Sequence, residues 1–68
     1  MSSQVYKEAV EAMKHAYEFL LNPDEFNSAC YGITLLAGKL NISRDEDEDL
    51  EDMWIKLSAR KHRQYNKK

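Results

Sequence analysis

Hydrophobic positions recur at helical spacing in three successive stretches of the chain, which are separated by two short polar breaks. Because apolar residues three and four positions apart lie on one face of an α-helix, each stretch predicts an amphipathic helix. The predicted helices span about residues 3–21, 23–40 and 44–64, with a frayed basic tail over residues 65–68. The sequence has neither the sustained alternation nor the hairpin dipeptide that would predict a strand. The pattern indicates a single all-α domain of three helices, with antiparallel neighbours because the connections are short.

The first predicted helix has a hydrophobic arc that covers about half of its circumference. Ser2 and Ser3 are both suitable N-caps for this helix. The arc contains eleven apolar residues: Val5, Tyr6, Ala9, Val10, Ala12, Met13, Ala16, Tyr17, Phe19, Leu20 and Leu21. One neighbouring helix would leave part of this arc uncovered, so we expect two helices to pack against it.

The second predicted helix begins with a strong N-terminal signature. Asn22 is suited to the N-cap, Pro23 to the first helical position and Glu25 to the third. Its main apolar stripe contains Phe26, Ala29, Cys30, Ile33, Leu36, Ala37 and Leu40. No charged residue occurs from Phe26 to Gly38. We therefore expect this helix to be central and buried on more than one side.

Tyr31 and Leu35 lie on the opposite side of the second helix, beside Gly32 and Gly38. A glycine within a helix is unfavourable by about 1 kcal/mol relative to alanine, which predicts close packing at these two positions. Because the main stripe faces the other helices, Tyr31 and Leu35 remain for a homodimer contact or a partner. A chain of 68 residues buries little surface by itself, which favours self-association.

The third predicted helix begins with a capping box, because Ser43 is followed three residues later by Glu46. Its acids lie in the N-terminal half and its bases in the C-terminal half, and both placements are favourable to the helix dipole. Its apolar face should pack against the second helix through four residues: Leu50, Met53, Trp54 and Leu57.

The net charge of −2 conceals this separation of charge. Residues 45–52 contain seven acids, and residues 56–68 contain six lysines and arginines.

Cys30 is the single cysteine, so an internal disulfide is excluded, and a reducing cytoplasmic compartment fits. We expect Cys30 to be a small buried hydrophobic residue. Frequent charges leave no apolar segment for a signal peptide or membrane span.

The acidic stretch has several interpretations, of which a plain solvated helix face is one. A calcium loop is disfavoured because Leu50 stands where that loop requires glycine and Lys56 where it requires glutamate. A helix that reads DNA is disfavoured because phosphates would repel the acids. A protein-binding face that imitates nucleic-acid charge remains, with Ile55 as an apolar contact. Its predicted residues are Asp45, Glu48, Asp49, Glu51, Asp52 and Ile55.

The basic C-terminal segment offers an alternative function, and a small structural or assembly subunit is a third. Nucleic acid would be contacted by Arg60, Lys61, Arg63, Lys67 and Lys68. The sequence has no phosphate loop and no nucleophile elbow, and Glu11–His15 has no second pair to complete a bundle metal site. We predict a non-enzymatic regulator or inhibitor without cofactor or metal, whose partner is a protein with a basic surface and not a membrane.

Overall fold

The computed structural model describes residues 3–66 and consists of three α-helices: α1 (Gln4–Phe19), α2 (Pro23–Lys39) and α3 (Arg44–Asn66). The central helix α2 packs against both α1 and α3 more extensively than these two pack against each other. The bundle measures 41 × 15 × 14 Å, which is long and narrow because the helices lie side by side. The predicted all-α, three-helix architecture with α2 at its centre is confirmed.

The helices run up, down and up. At one end of the bundle the Ser3 N–H donates a hydrogen bond to Glu46, and at the other end Lys61 donates to the carbonyl of Tyr17. These two contacts show that α1 and α3 are parallel. Asn27, near the start of α2, is hydrogen-bonded to α3 at its middle and in its C-terminal half. The helix α2 is therefore antiparallel to its neighbours, as predicted.

The first helix ends at Phe19, two residues before its predicted end. The backbone of Leu20 is extended, with φ −85° and ψ 136°, and its N–H donates to the carbonyl of Ala16. Asn22 is extended as well, which is the conformation that a following proline favours. Phe19 and Leu21 are 68% and 83% exposed, so the prediction that neighbouring helices cover the whole arc is wrong at this end.

The core contains residues from all three helices: Ala9, Met13, Phe26, Cys30, Ala37 and Leu50. Partly buried hydrophobic residues surround it, among them Met53, Trp54 and Leu57. The predicted apolar face of α3 is therefore confirmed, as is the burial of Cys30. Burial raises the pKa of the Cys30 thiol to about 11, which leaves little of the reactive thiolate at neutral pH.

The predicted burial of Leu36 and Leu40 is wrong. These side chains are 61% and 55% exposed at the edge between α1 and α2. On the α1 side this edge is lined by Val5, Glu8, Ala9 and Ala12, of which only Val5 has an apolar side chain larger than a methyl group. An apolar groove of about 200 Å³ consequently stays open between the two helices.

The third helix continues to Asn66, so the predicted fraying is wrong for Tyr65 and Asn66. The last turn of α3 lies beside the start of α2, where Tyr65 and Asn66 line a groove together with Asn22 and Pro23. The rest of the predicted tail, Lys67 and Lys68, lies outside the described residues.

The predicted close packing at Gly32 and Gly38 is also wrong within the chain. A β-carbon added at either glycine would meet no atom within 4 Å from other parts of residues 3–66 beyond the local helix backbone. Both positions have ordinary helical backbone, because no glycine of this range has a positive φ. Neither local conformation nor intrachain packing therefore requires glycine here.

Replacing Gly38 with alanine is expected to raise the free energy of unfolding by about 0.5–1 kcal/mol. Alanine restricts the unfolded chain more than glycine does, and the folded helix has room for its methyl group. Urea denaturation followed by circular dichroism measures this change. A destabilised Gly38→Ala variant would mean that another group occupies the space beside this turn.

Candidate partner-binding site

The acidic stretch is helical from its beginning, because the predicted capping box forms in both directions. The Ser43 hydroxyl accepts a hydrogen bond from the Glu46 N–H at 3.1 Å, and the Glu46 carboxylate accepts one from the Ser43 N–H at 3.2 Å. Residues 45–56 are therefore part of α3 and do not adopt the open loop geometry that calcium binding would require.

All six predicted partner-binding residues are exposed: Asp45, Glu48, Asp49, Glu51, Asp52 and Ile55. The structure divides them between two sides of α3. Asp49, Asp52 and Ile55 line a broad groove of about 610 Å³ beside Tyr6 of α1. Glu51 lines a different groove, between α2 and α3. The term acidic face is used below for Asp45, Glu48, Asp49 and Asp52.

Ile55 is an apolar side chain among these charged residues, and 64% of its surface is exposed to solvent. The half-buried side chains of Met53 and Leu57 line the same groove. Arg60 and Arg63 also line it, further along α3. The groove therefore combines an apolar strip with acids in its N-terminal part and bases in its C-terminal part, which is the mixture of contacts found in protein interfaces.

Two acids of the acidic face have a base one helical turn away. The Asp52 carboxylate lies 2.9 Å from the Lys56 ammonium, and Glu48 lies 3.7 Å from Arg44. All four side chains are mostly exposed, and exposed pairs of this spacing stabilise a helix by only about 0.3–0.5 kcal/mol. These ion pairs reduce the local repulsion without neutralising the surface.

The acids of the acidic face repel one another, and this repulsion destabilises the helix. Asp45 and Asp49 lie four residues apart, as do Glu48 and Asp52. Each such pair of like charges is unfavourable by about 0.2–0.5 kcal/mol. The helix dipole favours acids in the first turn of α3 only, so it does not compensate for acids further along.

The structure contradicts the prediction that Lys61 is available to nucleic acid. Only 9% of Lys61 is exposed, its ammonium donates to the carbonyl of Tyr17, and it lies 4.9 Å from the centre of the Tyr17 ring. An ammonium held in the interior cannot reach a phosphate group. The other predicted basic contacts are Arg60 and Arg63, which are exposed, and Lys67 and Lys68, which lie outside the described residues.

Two sets of side-chain hydrogen bonds were not predicted, because each joins residues that are distant in sequence. The Asn27 side-chain oxygen accepts hydrogen bonds from the Trp54 indole at 2.9 Å and the Ser58 hydroxyl at 3.0 Å. The Glu46 carboxylate accepts a further hydrogen bond from the Ser3 N–H at 2.6 Å. The spacing of Trp54 and Ser58 places them on one face, but only the packing identifies their common acceptor.

Glu46 fixes the N-terminus of α3 against that of α1. The hydrogen bond from the Ser3 N–H, together with those from Ser43, holds the pKa of the Glu46 carboxyl below its ordinary value of 4.5. The folded state therefore favours the ionised carboxylate. This contribution to stability is present above pH 4.5 and is lost as the pH falls through the lowered pKa.

The variant Glu46→Gln is expected to be less stable than the wild type at neutral pH. The difference should narrow as the pH falls below 4.5, because protonated glutamic acid then resembles glutamine. Thermal melts at a series of pH values measure this convergence. Glu18→Gln, on the exposed side of α1, is the matched control. A difference between Glu46→Gln and wild type that persists unchanged at acidic pH would contradict the assignment.

The remaining candidate groups for chemistry are dispersed. His15 packs its ring against Phe19, with 4.6 Å between the ring centroids. In the part of the chain from residue 3 to residue 66, no three histidine, cysteine, aspartate or glutamate side chains are grouped as metal ligands. None of the helices described over that range has the length and apolar character needed to cross a membrane.

The fold and the site define a small three-helix protein with a pronounced separation of charge along one exposed helix. No protein-family model matches the chain, and no curated protein or solved structure is significantly similar to it. Its function must therefore be inferred from its own residues.

Proposed function

We propose that this chain is a non-enzymatic regulatory or inhibitory protein that binds another protein through the acidic face of α3. The observation that carries this proposal is the continuation of exposed acids past the first turn, beside the exposed aliphatic side chain of Ile55. Helix stability does not favour that arrangement. A binding surface does, because it requires charge for encounter and an apolar contact for affinity.

The partner that fits this face has a basic surface with an apolar recess for Ile55. A protein surface that normally holds nucleic acid has the required charge, and the acidic face would then occupy it in place of phosphates. Electrostatic steering would make association fast and sensitive to salt. The single cysteine, Cys30, is consistent with a cytoplasmic location for this interaction.

The proposal is tested by removing charge from the acidic face while preserving the helix. The variant Asp45→Asn, Glu48→Gln, Asp49→Asn, Asp52→Asn removes four negative charges. A control with the same net charge replaces Glu8, Glu11, Glu18 and Glu25 with glutamine on α1 and α2. The partner is isolated from the source cells on immobilised chain and identified, and its affinity is then measured against salt concentration by calorimetry.

We expect the acidic-face variant to lose most of the affinity and most of the salt dependence, whereas the control keeps both. Circular dichroism should show that both variants remain helical. Ile55→Ser should reduce affinity while the salt dependence stays unchanged, because it removes an apolar contact and no charge. Equal affinity for wild type and the acidic-face variant would reduce the acidic face to a solvated surface.

Nucleic-acid binding by the basic segment is the competing function. Of its predicted contacts, Arg60 and Arg63 lie within the described residues and are exposed. Asp49 and Asp52 line the same groove as these arginines and would repel phosphates. Truncation of the segment is an unsuitable test because Lys61 is part of the interior. The double variant Arg60→Gln, Arg63→Gln should leave protein binding intact, whereas loss of a salt-sensitive gel shift in this variant would favour nucleic-acid binding.

A further inference from the structure

The outer side of α2 carries a second exposed surface, independent of the acidic face. Six exposed residues recur at helical spacing along it: Asp24, Ser28, Tyr31, Gly32, Leu35 and Lys39. We call this surface the α2 face. Tyr31 and Leu35 are 57% and 51% exposed, and the face carries no charge between its two ends. The two apolar side chains therefore lie in the middle of an exposed surface whose charges are confined to its ends.

We propose that the α2 face binds the α2 face of a second copy of this chain, with the two helices antiparallel about a two-fold axis. The argument for a second copy is that the face is complementary to itself. Asp24 lies as far before the midpoint between Tyr31 and Gly32 as Lys39 lies after it. A two-fold axis through that midpoint therefore places each Asp24 level with the Lys39 of the other copy, at both ends of the contact.

The same axis pairs residues of suitable size in the interior of the contact. Leu35 comes level with Ser28 of the second copy, so a large side chain lies beside a small one. Tyr31 comes level with Gly32 across the axis. The Tyr31 ring already packs edge-on against Trp54, with 6.3 Å between centroids, so it is held in position on the surface. A pre-positioned aromatic side chain binds with little loss of conformational freedom.

Gly32 acquires a physical reason in this arrangement. Within residues 3–66 nothing outside the local helix backbone approaches the position of a Gly32 β-carbon to within 4 Å, so the monomer does not require glycine there. At the centre of a contact between two helices, the absence of a side chain lets the backbones approach closely. The helix thus accepts a glycine that is unfavourable in the monomer by about 1 kcal/mol.

The charge on α3 is compatible with this pairing. In this arrangement the α3 helices of the two copies lie on the same side of the α2 pair and run in opposite directions. The acidic half of one α3 is then level with the basic half of the other. The residues of the acidic face point elsewhere, so a dimer formed through α2 leaves them accessible.

The test uses reversed charges at the ends of the α2 face. Asp24→Lys alone places lysine against lysine, and Lys39→Asp alone places aspartate against aspartate. Each variant alone is expected to raise the dissociation constant of the dimer about tenfold, because both end contacts become repulsive. A mixture of the two variants restores both opposite-charge contacts and should form heterodimers with an affinity close to that of the wild type.

Sedimentation equilibrium over a dilution series from micromolar to millimolar measures these affinities, with circular dichroism to show that each variant is folded. Leu35→Ser should abolish the dimer, and Gly32→Ala should weaken it while stabilising the monomer. Ile55→Ser, which removes an aliphatic side chain of comparable exposure on α3, should leave the dimer unchanged.

A wild-type chain that remains monomeric throughout the dilution series would overturn the proposal. A dimer that survives Leu35→Ser would show that another surface mediates association. Failure of the two folded charge variants to form heterodimers, while each remains weakened alone, would exclude the antiparallel arrangement. These outcomes are separate from the proposed function of α3, which the acidic-face variant and Ile55→Ser test.

Discussion

Replacing Phe26 with alanine is expected to lower the free energy of unfolding by about 3–5 kcal/mol. The Phe26 side chain is fully buried, and its ring packs edge-on against Tyr17 with 5.9 Å between centroids. It belongs to a core that all three helices share, so no single helix can shift to fill the space it leaves. The variant loses both the transfer free energy of the ring and the contacts of the atoms that surrounded it.

The effect is large relative to the total stability of the protein. At about 0.05–0.15 kcal/mol per residue, a chain of 68 residues has a free energy of unfolding of about 3–10 kcal/mol. Phe26→Ala should therefore lose at least about a third of this stability, which thermal melts followed by circular dichroism would show as a lower melting temperature.

Phe19→Ala is the matched control, because it makes the same chemical change at a position that is 68% exposed. It should lower stability by less than about 1 kcal/mol, since little apolar surface leaves water at this site on folding. Similar destabilisation by the two substitutions would show that Phe26 is not the centre of the core.

The position of Phe26 in the core could be predicted from the sequence because two local signals agree. The capping signature at Asn22 sets the start of α2, and helical spacing then places Phe26 on the same face as Cys30 and Ala37. The helix boundaries follow from equally local chemistry. They differ from the structure by one or two residues at the helix ends, as at Tyr65, where α3 continues beside the start of α2.

The burial of Leu36 and Leu40 could not be predicted, because periodicity gives the direction of a side chain and not the size of the side chains that face it. Both leucines point toward α1, as their positions on the helix require. Of the α1 residues that line the groove, only Val5 has an apolar side chain larger than that of alanine, and the groove stays open. Predicting this outcome would have required the register between α1 and α2, which no local pattern contains.

The acidic face was predictable for the same reason as the core: charge at helical spacing on the side away from the apolar residues stays exposed. The assignment of Glu51 to another groove depends on how α2 lies beside α3, which sequence spacing does not determine. The partner itself leaves no signature in this chain beyond charge and one aliphatic side chain.

Lys61 shows most clearly why charge alone is a poor guide to function in the basic segment. Its four methylene groups lie against the bundle, and its ammonium reaches the end of α1. Tyr17 lies in the last turn of α1, where carbonyl groups have no intrahelical partner and the helix dipole favours a positive charge. A lysine in a run of bases thus completes the end of a helix distant in sequence.

Replacing Lys61 with alanine is expected to lower the free energy of unfolding by about 2–4 kcal/mol. A hydrogen bond from a charged group contributes about 1.5–3 kcal/mol, and each buried methylene group adds up to about 0.8 kcal/mol. The Tyr17 carbonyl also loses its partner in a half-buried position. Urea denaturation of the wild type and the variant measures the difference.

Lys61→Met separates the two contributions, because methionine keeps most of the apolar stem and lacks the ammonium. It should be destabilised by less than Lys61→Ala and by more than Arg60→Ala, whose exposed side chain serves as the neighbouring control. If Lys61→Met is as stable as the wild type, the hydrogen bond to Tyr17 contributes nothing and the stem alone stabilises the bundle. If Lys61→Ala matches Arg60→Ala, Lys61 is an exposed base after all, and it returns to the set available for nucleic acid.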